Sequence, residues 1–355
     1  MKFIMIHGTP KIMLKSFILT VLALPFFGCR LNSYGLNEFL YRPSGVKERT
    51  KKIDKLTGTD VPPVTPGVFT VLVITDVHFG AEKLPKNGPR FDDDFFTWVG
   101  ALNPKPAFCV GLGDMAEHGW EEEFKRYEEF TGYLKKKYNI TTYNAVGNHD
   151  LYNSGWQHYK KYLYPYKSLY YFEAGNFSWY FIDTASGSLG AGQMRLLNKT
   201  MQSDPNPKIV MTHFPLWANG HFYFSLQDSL ERNLLISTFA KNNVKAVLTG
   251  HTHKKTVSDF GRFMEYNHPG FFAKAGWGLI TVNPTTGEVS SKIYYLPVSR
   301  ALSIRFPNRE LCNGEQCSAA PVQNCFFTDF TNPQPHISTI RFLALHCQHY
   351  PTLQQ

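Results

Sequence analysis

The sequence predicts an α/β fold in which two packed, mixed β-sheets are flanked by helices. From Val68 onward, short apolar runs rich in β-branched residues alternate with segments of helical periodicity, the pattern of parallel strands joined by helices. After residue 249 the alternation ends and hairpin-like stretches follow, which add antiparallel strands. With 355 residues, 43% of them hydrophobic, the chain is long enough to bury one large core.

Each element rests on its own local pattern. Phe69–Thr75 (FTVLVIT) is apolar on both faces, which is typical of a strand buried on both sides. Glu121–Lys136 places acids early and lysines late, as the helix dipole favours. The predicted strands are Phe69–Thr75, Ala107–Leu112, Thr141–Val146, Lys208–Thr212 and Val244–Thr249. The predicted helices are Phe91–Leu102, Glu121–Lys136, Gly192–Gln202 and Leu226–Asn242. The predicted hairpins are 169–184 (around Gly175-Asn176), 256–266 and 279–295.

The N-terminus has the features of an export signal. Lys11 and Lys15 precede the apolar run Phe17–Gly28, whose dozen residues suit a signal-peptide core and fall short of the ~18–20 that span a bilayer. The run ends at Cys29 in a segment that resembles a bacterial lipobox. We expect residues 1–29 to be a signal peptide and the exported protein to be membrane-anchored through a lipidated Cys29, on the periplasmic face or cell surface. The alternative is an uncleaved hydrophobic anchor.

Two further regions flank the predicted domain, which spans residues 67–300. Residues 30–66 are polar and end in a Pro-rich stretch, as expected of a linker. Residues 301–355 lack periodicity and hold four of the six cysteines, for which two disulfides are favoured over a zinc cluster. The pattern leaves open whether this tail is a disulfide-tied appendage, a disordered end or sequence outside the normal reading frame. Cys109 lies in an apolar run and is expected to be a buried strand residue.

The net charge of +9 does not predict a nucleic-acid partner. Part of the charge comes from one run, residues 46–55, and no stripe of basic residues interleaved with aromatics follows. A nuclease, which needs such a surface to track DNA, is therefore disfavoured.

Polar side chains with metal-binding chemistry follow five predicted strands, at the point where each strand ends. Because α/β sheets bind ligands beyond the carboxyl ends of their strands, these distant segments are expected to converge in one crevice. Carboxylates and imidazoles are ligands of divalent transition metals. The residues concerned are Asp76, His78, Asp114, Asn148, His149, Asp150, His213, His251 and His253.

In chain order the five segments read DVH, GD, GNHD, TH and GHTH. They are similar to the ordered motifs of the calcineurin-like metallophosphoesterase superfamily: D-x-H, G-D, G-N-H-[DE], H and G-H-x-H. The resemblance covers about Val68–Pro297, and its relatives include purple acid phosphatases and cyclic-nucleotide phosphodiesterases. It implies a four-layer αββα sandwich and a hydrolase that acts on a small phosphorylated substrate.

The resemblance also implies a binuclear centre of two divalent or trivalent ions, with Mn, Fe and Zn as candidates. The ligands of the first ion would be Asp76, His78 and His253, and those of the second Asn148, His213 and His251. Asp114 would bridge the two, with one carboxylate oxygen on each. A hydroxide bridging the ions would attack phosphorus. His149, oriented by Asp150, would donate a proton or a hydrogen bond to the leaving group.

Some alternatives remain open at this point. Taken singly, His213 is typical of a buried structural histidine and Asn148 of a turn residue. Glu117 occupies the position of the purple acid phosphatase tyrosine, and the sequence does not decide whether it, His118 and His221 line a pocket or a solvated loop. Monoester and diester hydrolysis are not separated. The rival function is an inactive phosphoesterase-fold surface lipoprotein that serves as a binding module, which would be expected to have lost ligands.

Overall fold

The computed structural model describes residues 45–81, 94–220, 224–226, 228–271 and 276–295. The predicted signal peptide with Cys29, the first part of the linker, His221 and the cysteine-containing tail lie outside these residues. Within the described ranges, no helix combines the length and the hydrophobicity that crossing a bilayer requires.

Twelve strands and five α-helices of seven residues or more are described, numbered here in chain order. The strands are β1 (Asp54–Lys55), β2 (Phe69–Ile74), β3 (Cys109–Gly111), β4 (Thr142–Asn144), β5 (Tyr170–Ala174), β6 (Phe177–Phe181), β7 (Lys208–Met211), β8 (Val244–Thr249), β9 (Thr256–Asp259), β10 (Met264–Asn267), β11 (Gly276–Asn283) and β12 (Glu288–Tyr295). The helices are α1 (Asp94–Ala101), α2 (Glu121–Tyr138), α3 (Trp156–Tyr162), α4 (Ala191–Gln202) and α5 (Ser229–Lys241).

The strands form two mixed sheets. The five-stranded sheet has the order β12-β11-β2-β3-β4, in which β2, β3 and β4 are parallel. The seven-stranded sheet has the order β1-β5-β6-β7-β8-β10-β9, in which β6, β7, β8 and β10 are parallel. The three predicted hairpins form antiparallel pairs, β5 with β6, β9 with β10 and β11 with β12, as the sequence predicted.

Three apolar clusters separate four layers. The middle cluster holds side chains of both sheets, such as Val71 and Val110 from one and Trp179 and Met211 from the other. A second cluster packs the first helices against the five-stranded sheet, and a third packs α4 and α5 against the seven-stranded sheet. The predicted arrangement of two mixed sheets between helical layers is therefore confirmed.

The linker prediction does not hold for its C-terminal part, because residues 45–66 are packed on the domain. Val46 and Leu56 are buried, and β1 pairs with β5. The Arg49 guanidinium makes an ion pair of 2.7 Å with Asp183 Oδ2. Some of its charged groups pair with the domain, Arg49 with Asp183 and Lys55 with Glu173, and others are exposed, so its composition alone resembled a linker.

Local sequence explains some of these features and not others. The hairpin between β5 and β6 turns at Gly175 and Asn176, both with φ near 60°, a left-handed conformation that glycine and asparagine tolerate. Cys109 is fully buried in β3, as predicted. The sequence missed α3, whose aromatic side chain Tyr159 is buried among aromatic residues rather than arranged as a clear amphipathic face.

Candidate metal centre

The predicted site residues come together where the parallel strands of both sheets end. Asp76 and His78 follow β2, Asp114 follows β3 and Asn148 follows β4, all in the five-stranded sheet. The remaining residues follow strands of the seven-stranded sheet: His213 follows β7, and His251 and His253 follow β8. The crevice therefore lies at a shared edge of the two sheets, as expected for the carboxyl ends of parallel strands.

Five of these residues have left-handed backbone conformations, which only glycine adopts without strain. The φ angles lie between 51° and 68° for all five: Asp76, His78, Asp114, His251 and His253. Each such residue costs of order 1–3 kcal/mol, and such strain clusters at functional sites. Each segment turns sharply after its strand and so points its polar side chain back into the crevice.

The first ligand group consists of Asp76, His78 and His253. His253 Nε2 lies 3.1 Å from Asp76 Oδ1 and 3.2 Å from His78 Nε2, although the two histidines are 175 residues apart in the sequence. The Thr75 hydroxyl and the His251 amide donate to the other oxygen of Asp76, at 2.8 and 3.1 Å. That pair of hydrogen bonds leaves Oδ1 facing the two imidazole nitrogens.

The second ligand group consists of Asn148, His213 and His251. His213 Nε2 lies 3.1 Å from Asn148 Oδ1 and 3.2 Å from His251 Nδ1. His213 Nδ1 lies 2.8 Å from the Leu112 carbonyl, to which it donates, so in the neutral ring Nε2 is the nitrogen whose lone pair faces the group.

Asp114 lies between the two groups. Its Oδ2 is 3.1 Å from His213 Nε2 and 3.9 Å from His78 Nε2, whereas Oδ1 accepts the His149 amide at 2.8 Å. The predicted arrangement with one oxygen for each ion is wrong in this respect. Because the backbone of the GNHD segment occupies Oδ1, a single oxygen faces both groups.

The arrangement of these atoms fits cations. Asp76 Oδ1 is buried, and within the described part of the chain no hydrogen bond satisfies it. Imidazole nitrogens and carboxylate oxygens also approach within 4.8 Å in three triads: Asp76–His78–His253, His78–Asp114–His149 and Asp114–His213–His251. A buried anionic oxygen without a donor is costly, and so are lone pairs that face each other, unless a positive charge lies between them. Carboxylate, amide oxygen and imidazole are also the donors that Mn, Fe and Zn accept.

The electrostatics of the crevice point the same way. Burial disfavours the charged form of Asp114, yet the neighbouring His213 holds the pKa of that carboxyl far below its ordinary value. Burial likewise opposes the charge on His213, and Asp114 overrides it and raises the pKa of His213 to about 9. For His251, burial and the charge on His213 lower the pKa to about 3. The crevice thus favours positive charge beside its carboxylates, held by protons here and replaceable by metal ions.

Asp150 has a different role from the one predicted. Its carboxylate oxygens accept four backbone N–H groups, from Asp114, Met115, Ala116 and Gly147, at 2.8–3.0 Å. The His149 ring instead has its Nδ1 2.7 Å from the Glu117 carbonyl. Asp150 therefore fixes the loop that carries Asp114, and its predicted role of orienting His149 is wrong.

The partly exposed side chains of the site mark the side of the crevice that is open to solvent. Asp76 and His213 form the fully buried floor of the crevice, whereas about a quarter of the His149 side chain and a third of the His253 side chain are exposed. His149 Nδ1 donates to a carbonyl, so its Nε2 is the nitrogen available to a ligand. On the flank, the half-exposed Trp120 stacks on His118 with ring centroids 4.4 Å apart.

A large cavity lies elsewhere. It has a volume of about 1040 Å³ and is lined by residues of the 45–51 segment and of the loop and helix around 187–199. None of the candidate ligands lines it. The chemistry of the donor set, rather than cavity size, identifies the functional site.

Comparison with known protein families gives one match. A family model described as calcineurin-like phosphoesterase matches residues 69–255, more than half of the 355-residue chain. This range contains all seven candidate ligands, His149 and Asp150. A comparison with curated proteins gives no match.

Solved structures include 97 chains that match this protein. A dimetal phosphatase from Danio rerio is 13% identical, with a TM-score of 0.47 over 63% of this chain and 98% of that one. GAP50, described as the anchor in the inner membrane complex of Plasmodium, is 16% identical, with a TM-score of 0.46 over 65% of this chain and 89% of that one. Vacuolar Protein Sorting 29 from Cryptosporidium parvum is 17% identical, with a TM-score of 0.35 over 65% and 93%.

Proposed function

The chain belongs to the calcineurin-like phosphoesterase family, and from this premise we propose that it hydrolyses a phosphomonoester or phosphodiester with two bound metal ions. The observation that carries the proposal is the convergence of carboxylate, amide and imidazole donors around the unsatisfied, buried Asp76 Oδ1. No member of the expected ligand set is missing or turned away from the crevice.

Two separate sets of side chains would hold the two ions. Asp76, His78 and His253 would hold one ion, and Asn148, His213 and His251 the other, with Asp114 Oδ2 between them. When bound, such a pair lowers the pKa of a coordinated water toward neutrality and offsets negative charge on the phosphoryl group.

Several ligands are held in place before any ion binds. Leu112 O fixes the tautomer of His213, and Tyr152 Oη accepts from Asn148 Nδ2, which leaves the Asn148 oxygen facing the crevice. This preorganisation means that little rearrangement is needed when an ion arrives.

His149 is the candidate proton donor to the leaving group. It is partly exposed at the rim, its amide is hydrogen-bonded to Asp114 Oδ1, and its Nε2 is free of the backbone contact made by Nδ1. In its imidazolium form, which carries a proton on Nε2 as well as on Nδ1, a histidine so placed can donate the Nε2 proton to an alkoxide as the phosphorus–oxygen bond breaks.

The function is tested by activity and metal content together. The purified full chain is assayed with nitrophenyl phosphate and bis(nitrophenyl) phosphate in the presence of Mn²⁺, and bound metal is counted after dialysis. We expect turnover of at least one ester and about two equivalents of metal. Two bound metals without turnover of any phosphoric ester would instead favour the binding-module alternative, and a protein that binds no metal pair contradicts the proposal.

The export proposal concerns residues outside the described part of the chain. We propose that the protein is anchored through a lipid on Cys29, with the catalytic domain outside the cytoplasm. Mass spectrometry of the mature N-terminus tests this: a diacylglyceryl modification on Cys29 is expected, and an unmodified, uncleaved N-terminus contradicts it.

A further inference from the structure

The geometry points to Glu117 as a positioning residue that fixes the tautomer of His78, so that His78 presents the lone pair of Nε2 to a metal ion. This inference rests on the proposed metal centre and adds a residue outside the ligand set. The sequence left Glu117 between a pocket wall and a solvated turn.

The contact is direct and faces away from the ligand group. Glu117 Oε2 lies 2.6 Å from His78 Nδ1, while His78 Nε2 is directed at His253 Nε2, 3.2 Å away. The two nitrogens of one ring thus have separate partners, a carboxylate behind and the candidate metal position in front. Oε2 lies off the line of an Nδ1–H bond, so the 2.6 Å contact is a close approach of a carboxylate to Nδ1, made by a side chain that is 29% exposed.

The consequence for metal binding follows from imidazole chemistry. A neutral imidazole carries its proton on one nitrogen, and only the other nitrogen can bind a cation. A carboxylate at Nδ1 holds the proton there and makes Nε2 more basic, and such outer partners are worth about 10–100-fold in metal affinity. His78 therefore depends on Glu117 in the way that His213 depends on the Leu112 carbonyl, which lies 2.8 Å from its Nδ1.

The side chain of Glu117 can be changed without losing the other contact that this residue makes. His149 is positioned by the main-chain carbonyl of Glu117, at 2.7 Å, and the Glu117 carboxylate lies 3.8 Å from the same nitrogen. A side-chain substitution therefore leaves the backbone acceptor of His149 in place. The effect should be confined to the ion held by Asp76, His78 and His253.

The test is a titration of the metal-free full chain with Co²⁺. Binding is measured by calorimetry and by the visible absorption of bound Co²⁺. The wild type is expected to bind two equivalents. In Glu117→Ala, one equivalent should bind about 10–100-fold more weakly while the other is unchanged. In Glu117→Gln the loss should be smaller, because an amide oxygen in the place of the carboxylate oxygen still favours a proton on Nδ1 of His78. Glu128→Ala, an exposed acid on α2, is the control and should match the wild type.

The outcomes separate this inference from the proposed function. If the wild type binds no pair of ions, the proposed function fails and this inference fails with it. If the wild type binds two and Glu117→Ala weakens neither, or weakens both equally, Glu117 does not act through His78 and only this inference is overturned. Equal losses in Glu117→Ala and Glu117→Gln overturn it as well, since the effect would then be one of charge. Thermal unfolding shows whether each variant is folded. If Glu117→Ala does not fold, the isosteric Glu117→Gln provides the test instead: weaker binding of one equivalent supports the inference, and unchanged binding of both overturns it.

Discussion

Replacing Asp150 with asparagine is expected to lower the free energy of unfolding by about 3–6 kcal/mol. Each carboxylate oxygen accepts two backbone N–H groups: Oδ2 from Asp114 and Gly147, and Oδ1 from Met115 and Ala116. An asparagine keeps one oxygen and turns an NH₂ group towards the other two donors. Two hydrogen bonds to a charged acceptor are lost, each worth about 1.5–3 kcal/mol.

Urea unfolding followed by circular dichroism measures this loss. Asp228→Asn is the matched control, because Asp228 caps α5 with a bond of 2.9 Å to Glu231 N, and asparagine caps a helix about as well as aspartate. The loop that carries Asp114 should also loosen, so metal affinity should fall together with stability. A change below about 1 kcal/mol in Asp150→Asn, with kcat reduced, would refute this reasoning and restore a role for Asp150 in orienting His149.

Three further predictions concern proton transfer, pH and metal. His149→Asn should lower kcat for an alkyl phosphate, whose alkoxide leaving group needs a proton, by about 10²–10⁴-fold with two metals still bound, and an unchanged kcat would exclude His149 as the proton donor. Burial lowers the pKa of His268 to about 4, from an ordinary 6.5, so between these values the unfolded chain takes up a proton that the folded chain does not. The free energy of unfolding should therefore fall by about 3 kcal/mol as the pH drops from 6.5 to 4. In His268→Gln, the free energy of unfolding measured by urea titration should depend less on pH over this range. The same pH dependence in the variant and the wild type would contradict this. Chelation of both metals should lower the melting temperature, because each ion at 100 times its Kd stabilises the fold by about 2.7 kcal/mol. Asp114→Asn should show a much smaller response, and a response as large as that of the wild type would argue against a shared carboxylate.

The sequence predicted most elements because their patterns are local. Val244–Thr249 was placed without error, since its apolar run is bounded by turn residues. The missed helix α3 and the segment 45–66 are different cases. Tyr159 and Arg49 are stabilised by partners far away in the chain, an aromatic cluster and Asp183, and neither partner is visible from local periodicity.

The candidate ligands could be found because metal chemistry restricts residue types and because strand ends restrict their places. What each side chain does beyond that was harder to predict. Asp150 directly follows His149 in the sequence, so an interaction between the two was a natural expectation, yet its carboxylate turns to four backbone amides. Glu117 showed no signal except its position three residues after Asp114.

The sequence by itself determined the layered α/β architecture and the polar residues at the strand ends, because hydrophobic periodicity and side-chain chemistry are properties of residues and their near neighbours. The resemblance of those segments to ordered family motifs then implied which seven are candidate ligands. Only the tertiary structure decided which atom of each side chain faces which partner: the single oxygen of Asp114 between the two groups, the carbonyl on His149 and the carboxylate behind His78. Those directions depend on left-handed turns and on contacts between segments up to 175 residues apart, which are fixed by the packing of two sheets and not by local sequence.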